Sequence, residues 1–270
     1  MDISLPSCPP DVLEQLGKIT DLFQEALGQR LTGLYVYGSA ALGRYKAGRS
    51  DLDIFTVMEG RLEEHTLRHI VEALLSLSLS PAPLSVSIAS LDDLAPWEYP
   101  GRLQFHYSEY KRKELERCFR ENQPIIIEDD GREPDLACHI TLVLKESAAV
   151  LGPPAGEILP EIPVRDFRLA LYEDAVFAAT NELVAPMYAI LTLPRILAYF
   201  ETGGTISKEN VGEFALQHTP QHLKHILRQM TEYYNGQRLD MPKPWRDDVQ
   251  EYKIILLKKI EKAMRKSERE

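Results

Sequence analysis

The sequence of 270 residues predicts an α+β chain in two parts, a mixed α/β region over residues 1–155 and an all-α bundle over 156–270. Three observations carry this reading. In the first half, apolar runs rich in β-formers are interleaved with helical periodicity. The stretch "LGPPAGEILPEIPV" (Leu151 to Val164) then places four prolines among fourteen residues, which disfavours continuous helix or central strand and marks a boundary. Beyond it only helical patterns remain.

Taken in order, "DVLEQLGKITDLFQEAL" (Asp11 to Leu27) sets Val12, Leu13, Leu16, Ile19, Leu22 and Phe23 at helical spacing. "LTGLYVYG" reads as a strand and "SDLDIFTVM" (Ser50 to Met58) as a second. "EEHTLRHIVEALLSL" reads as a helix. "LSVSIASL" (Leu84 to Leu91) alternates apolar and small polar residues as a third strand. From Tyr107 onward the strand signal fades to one short extended piece, "PIIIED" at 124–129, and "DLACHITLVLKESAAVL" (Asp135 to Leu151) reads as helix throughout. Helical patterns follow around Arg165 to Val184, Met187 to Phe200, Lys208 to His218, His222 to Tyr234 and Asp247 to Lys266.

A hydrophobic content of 44% supports real cores, and a formal charge of −10 without a basic stripe argues against general nucleic-acid or anionic-membrane binding. Small cationic partners are favoured instead. Three widely spaced cysteines lack metal-type pairing and fit a reducing compartment. No stretch approaches the roughly 18 apolar residues of a membrane span, and the N-terminus lacks the pattern of an export signal, so a cytoplasmic location is expected. His65 and His69 have metal-pair spacing on a helix but no third ligand, and with His218, His222 and His225 they read as helix-surface residues.

The informative stretch is "LYVYGSAALGRYKAGRSDLDIF" (Leu34 to Phe55). An apolar run stops at Gly38-Ser39, and eleven residues lie between Ser39 and Asp51 of the Asp51-Leu52-Asp53 triplet. Strand alternation points both carboxylates to one face, about 7 Å apart at the backbone. Such a pair repels itself unless a cation intervenes, and Mg²⁺ prefers one or two protein carboxylates plus phosphate oxygens. A glycine at a strand end lets backbone N–H groups approach phosphates closely, and Ser39 adds a hydroxyl. Turn and carboxylates together suit a metal-assisted displacement on a nucleoside triphosphate.

"YGSAALGRYKAGRSDLDIF" resembles the signature of the nucleotidyltransferase superfamily that includes DNA polymerase β. The likeness extends to the streptomycin/spectinomycin adenylyltransferases, the aminoglycoside (3'')(9) class, through "PWEYP", "LQFHYSEYKR", "DLACHITLVLKESAAVLGPPAGEI", "LTLPRILAYFETG", "SKENVGEFA" and "YYNGQ" in family order. It implies an N-terminal nucleotidyltransferase domain, a C-terminal helical domain and an active site in the cleft between them. It also implies ATP as donor and an aminocyclitol hydroxyl as acceptor, in an antibiotic-modifying enzyme. By motif position Asp51 and Asp53 are catalytic and hold Mg²⁺. Gly38, Ser39, Ser50, Arg195, Lys208 and Tyr234 serve the nucleotide, and Tyr110 and Glu182 line the acceptor pocket. The expected partners are ATP and a small cationic aminoglycoside-like molecule, with no nucleic acid, no membrane and a monomeric state.

The chain departs from that family in two places. The family's general base is a glutamate on the strand beside the Asp-x-Asp strand, and the matching position here is Ser85, which cannot take a proton at neutral pH without a base of its own. Glu109, Asp92 and Asp93 are the candidate carboxylates to replace it. The acidic and tryptophan residues before the "LTL" helix are replaced within "NELVAPMYAI" (Asn181 to Ile190), with Ala185 at the matched position, and Pro194 directly precedes Arg195. Two alternatives to antibiotic adenylylation stay open on sequence: transfer to another acceptor, protein or metabolite, and a nucleotide-binding homologue with weakened catalysis.

Overall fold

The computed structural model describes residues 5–125, 131–181, 185–243 and 246–267. The chain forms two compact units, divided between Phe167 and Arg168.

In the first unit, helix α1 (Pro10–Leu27) leads into strand β1 (Leu31–Tyr37), the single turn α2 (Gly38–Ala41) and strand β2 (Leu52–Met58). Helix α3 (Glu64–Leu77), strand β3 (Leu84–Ser90), the turn α4 (Leu91–Leu94), the short β4 (Gly101–Arg102) and β5 (Phe105–Ser108) follow. Helix α5 (Arg112–Arg120), β6 (Arg132–Glu133), helix α6 (Leu136–Glu146) and β7 (Ala148–Leu151) complete it. One five-stranded sheet runs β5-β3-β2-β1-β7. Its β2–β3 pair is parallel because α3 supplies the crossover, while β1–β2, β3–β5 and β1–β7 are antiparallel.

Both faces of the sheet are covered, which explains why β1, β2 and β3 read as near-continuous apolar runs. Leu34, Val36, Leu52, Ile54, Leu84, Val86 and Tyr107 pack with Leu16, Ile19 and Phe23 of α1 and Ile70, Val71 and Leu74 of α3. On the opposite face Tyr35, Tyr37, Phe55, Val57 and Ala89 pack with Leu136, Ile140 and Val143 of α6. Gln15, buried on α1, donates to the carbonyls of Leu77 and Ala82 and accepts from the Ala82 N–H, so its whole amide ties α1 to the chain that delivers β3.

The helix expected over Asp135 to Leu151 ends at Glu146, and its last four residues form β7 on the free edge of β1. Pairing with β1 decides this, because "AAVL" alone carries no strand period. The piece expected at 124–129 falls mostly outside the described residues. The proline-rich stretch packs onto the first unit: Tyr35 donates to the Pro153 carbonyl at 2.7 Å, and Ala155 and Leu159 are buried. Gly152 has φ +83°, and a Cβ there would run into the Thr32 carbonyl.

Helix α7 (Val164–Thr180) contains the division point. The second unit continues with α8 (Pro186–Thr202), α9 (Val211–His218), α10 (Lys224–Tyr234) and α11 (Arg246–Ser267). Its core joins Ile190, Leu193 and Leu197 of α8 to Val211, Leu227, Met230, Tyr252 and Leu256. Pro194 lies inside α8, so the Ile190 carbonyl four residues back loses its helical donor. The hydroxyl of Tyr252, fully buried on α11, donates to that carbonyl at 3.0 Å. No helix among the described residues is long and apolar enough to cross a membrane.

Tyr252→Phe should therefore lower stability by about 1–3 kcal/mol in urea unfolding, because it leaves a buried carbonyl unpaired. In a Pro194→Ala background, where residue 194 supplies an N–H of its own, the same substitution should cost clearly less.

Candidate active site

Strand β1 ends in Tyr37, and Gly38 turns the chain into α2 with φ +66°. A Cβ on Gly38 would stand 2.5 Å from Asp53 Oδ2 and 3.4 Å from its Cγ. Glycine is required twice over here, by the left-handed backbone and by the carboxylate lying against its Cα. Ser39 is half-buried in the same turn, where its carbonyl accepts from the Arg44 N–H at 2.8 Å.

The ladder fixes what faces Asp53. Tyr37 pairs with Asp53, Asp53 with Ser85 and Ser85 with Ser108, so these four side chains form one row across β1, β2, β3 and β5. Leu52 is buried on the opposite face, and Asp51 directly precedes the strand, where continued alternation would set it on the face of Asp53. Asp51 is exposed at the mouth of β2 and Asp53 half-buried. Burial first, then the charges of Cys8, Asp11 and Asp51, raise the Tyr45 phenol. Ser50 is buried, and its hydroxyl accepts from the Lys46 N–H at 3.0 Å, closing the turn that delivers Asp51.

The register also sets Ser85 next to Asp53, the position where the resemblance expects a carboxylate. None of the nearby carboxylates replaces it. Glu109 accepts hydrogen bonds from Ser78, from Tyr107 at 3.1 Å and from Arg112 at 2.6 Å, beside the C-terminal end of α3. Burial alone would raise its carboxyl, but the Arg112 and Ser78 bonds outweigh that and hold it below its usual range. Asp93 accepts from Gln104, and Asp92 takes the Ser90 cap at the opposite end of β3, roughly 16 Å from Ser85 at about 3.3 Å per residue.

What sequence reading missed lies on the Asp53 face. The Tyr37 hydroxyl meets His139 Nδ1 of α6 at 2.7 Å, and His139 Nε2 lies 3.3 Å from Asp135 Oδ2. The His106 ring lies 5.6 Å from that of His139, and its Nδ1 bonds the Ser87 hydroxyl at 3.0 Å. Burial, then the neighbouring His139, push His106 down to about 3. Loss of hydration alone would raise Asp135, yet the charge and hydrogen bond of His139 hold it down at about 2. The Asp-x-x-x-His spacing of Asp135 and His139 on one helix was the available signal.

In the second unit, three predicted residues gather around one loop. Arg195 of α8 donates from Nε to the Ile206 carbonyl at 2.8 Å, and Lys208 follows two residues later. Asn235 donates to the Glu209 carbonyl at 3.3 Å, drawing in the end of α10 where Tyr234 sits buried. Tyr110 is about half exposed in the turn after β5. Glu182 lies outside the described residues.

Comparison with known proteins gives a consistent outcome. Residues 16–137 match the family model of the nucleotidyltransferase domain, and residues 157–259 that of the aminoglycoside adenylyltransferase C-terminal domain. A spectinomycin 9-adenylyltransferase of Staphylococcus aureus is 28% identical over 235 residues, covering 85% of this chain and 86% of the other. An aminoglycoside (3'') (9) adenylyltransferase of Escherichia coli is 27% identical over 273 residues, covering 95% and 97%. The crystal structure of spectinomycin adenyltransferase AAD(9) from Enterococcus faecialis, solved with ATP and spectinomycin, superposes with a TM-score of 0.79 at 21% identity. It covers 92% of this chain and 99% of the other, which establishes the fold.

The depressed His106 gives a signed expectation for stability. The unfolded chain protonates this imidazole near its ordinary value of about 6.5, whereas the folded protein resists down to about 3. Its contribution is therefore complete above pH 6.5 and is lost progressively as pH falls toward 3, with a slope of at most about 1.4 kcal/mol per pH unit. Urea unfolding of wild type and His106→Asn across that window should show the smaller slope in the variant.

Proposed function

Because the chain belongs to the aminoglycoside adenylyltransferase family of nucleotidyltransferases, we propose that it moves AMP from Mg²⁺-ATP to a hydroxyl of an aminoglycoside or aminocyclitol antibiotic. The observation that carries this reading is the row Tyr37–Asp53–Ser85 with Gly38 open beneath the Asp53 carboxylate. The residues fit magnesium. Asp51 and Asp53 offer hard oxygen donors on one face, no third metal-ligating group joins them among the described residues, and phosphate oxygens and water would complete the shell. Bound there, the ion supplies charge neutralisation at the α-phosphate and the departing pyrophosphate.

The chain's own residues do the rest. Asp51 and Asp53 hold the metal, and the Gly38-Ser39 turn lets N–H groups and a hydroxyl meet the phosphates. Arg195 and Lys208, gathered at the 204–210 loop, add positive charge to the triphosphate, and Tyr234 sits beside the nucleotide. Ser50 holds the turn before Asp51 and so serves the nucleotide at one remove. Tyr110 serves the acceptor, as the family resemblance implies for it and for Glu182, which lies outside the described residues. The acceptor oxygen bonds the α-phosphorus as the bond to the bridging oxygen breaks, and pyrophosphate leaves. The relatives named above act on spectinomycin or aminoglycosides, and the net charge of −10 favours a cationic acceptor of that kind.

Incubation with Mg²⁺-ATP and a panel of aminoglycosides and aminocyclitols, followed by mass spectrometry, should show an acceptor heavier by one AMP. Modified protein in place of modified drug would redirect the reading to another acceptor, and binding of ATP without transfer would end it. Asp53→Asn should lower transfer by on the order of 10²-fold or more while the fold is retained, and omission of the divalent ion should abolish it.

A further inference from the structure

On the reading above, the acceptor hydroxyl must lose a proton as its oxygen bonds phosphorus, yet Ser85 stands where a carboxylate is expected. We propose that His139 receives this proton through the hydroxyls of Ser85 and Tyr37, replacing the missing carboxylate from beneath the sheet. The inference rests on the adenylyltransfer reading and adds to it the destination of the proton.

Geometry carries it. Tyr37 and Ser85 flank Asp53 in the same row of the sheet, so the phenol lies one side chain from the reacting centre that the carboxylates define. Tyr37 bonds His139 Nδ1 at 2.7 Å, and Asp135 lies 3.3 Å from His139 Nε2. An ionised carboxylate only accepts, so Nε2 carries the hydrogen and the Nδ1 lone pair of the neutral ring points at the Tyr37 O–H. Tyr37 thus donates to His139 and keeps its oxygen lone pairs for Ser85 and Ser87, whose hydrogen bonds pull its phenol back from the strong rise that burial and Asp53 impose. Tyr37, Ser85 and Asp53 share one row and face of the sheet, and His139 meets that face from α6.

The step balances. The acceptor O–H gives its proton to Ser85 Oγ, Ser85 gives its own to Tyr37 Oη, and Tyr37 gives its own to His139 Nδ1. Both hydroxyls end unchanged and His139 ends as imidazolium. The acceptor oxygen forms its bond to the α-phosphorus as pyrophosphate departs. His139 then returns the proton to solvent, to which its side chain is 18% exposed.

The groups around His139 favour this task. Asp135 on its own helix steadies the imidazolium, and Asp53 on β2 contributes beyond Tyr37. Lys111 after β5 opposes it. His106 on β5 stays neutral down to about 3 and adds no opposing charge, while Ser85 and Ser87 on β3 are uncharged. His139 acts through Tyr37 and touches no reacting atom, so it is a positioning and proton-accepting residue.

The test compares wild type, His139→Gln and Asp135→Asn in the Mg²⁺-ATP and aminocyclitol assay, together with ¹⁵N NMR of the wild-type histidine rings. His139→Gln should lower kcat on the order of 10²-fold, leave KM for ATP unchanged and remove the acid limb of the pH–rate profile. Asp135→Asn, which removes the anion that steadies the imidazolium, should move that limb to lower pH. NMR should find His139 protonated on Nε2 and not on Nδ1. Should His139→Gln not fold, the Asp135→Asn limb and the wild-type tautomer decide alone. An unchanged limb in the variants, or an Nδ1–H tautomer, overturns the relay while leaving adenylyltransfer intact. Wild-type protein that adenylylates none of the panel overturns both.

Discussion

Two like charges placed side by side on one strand are the constraint from which the first unit takes its form. Asp51 and Asp53 repel each other, and their strand opens at Asp51 onto a solvent-exposed surface where cations and phosphates can come. The sheet meets this by ending β1 at the same level, in register with Asp53, and by removing the side chain at Gly38 so that the carboxylate can settle against bare backbone. The buried neighbours of Asp53, Leu52 and Ile54, anchor the strand to α1 and α3. The fold thereby holds the carboxylate against the bare backbone of Gly38.

The helical unit solves a different problem, the gathering of positive charge without burying it. Arg195 projects from a helix whose other faces are almost wholly apolar, and its Nε is spent on the Ile206 carbonyl, which turns the rest of the guanidinium toward the loop that bears Lys208. Asn235 grips the same loop from the far side. Two backbone carbonyls, each held by a side chain from a different helix, fix a segment that has no regular structure of its own.

Much of this was legible in the sequence, for identifiable reasons. The strands β1, β2 and β3 announced themselves because both faces of the sheet are covered and the apolar runs are long. The Gly-Ser turn and the aspartate pair could be read because their chemistry is local in the chain. β7 was not legible: four small and apolar residues following a helix take their identity from the edge of β1. The Tyr37–His139–Asp135 chain was hidden for the opposite reason, since each member is unremarkable alone and the contact between Tyr37 and His139 spans 102 residues. Glu109, attractive as a base by position, proved committed to Arg112, Ser78 and Tyr107, an engagement that only a fold can reveal.

The bond from Tyr252 to the Ile190 carbonyl bears on the order in which the helical unit assembles. Pro194 denies α8 one of its own hydrogen bonds, and the replacement arrives from a helix that is synthesised some sixty residues later. Until that helix docks, the middle of α8 has a vacant acceptor one turn before Arg195. The middle of α8 therefore completes its backbone pairing only when α11 closes the bundle.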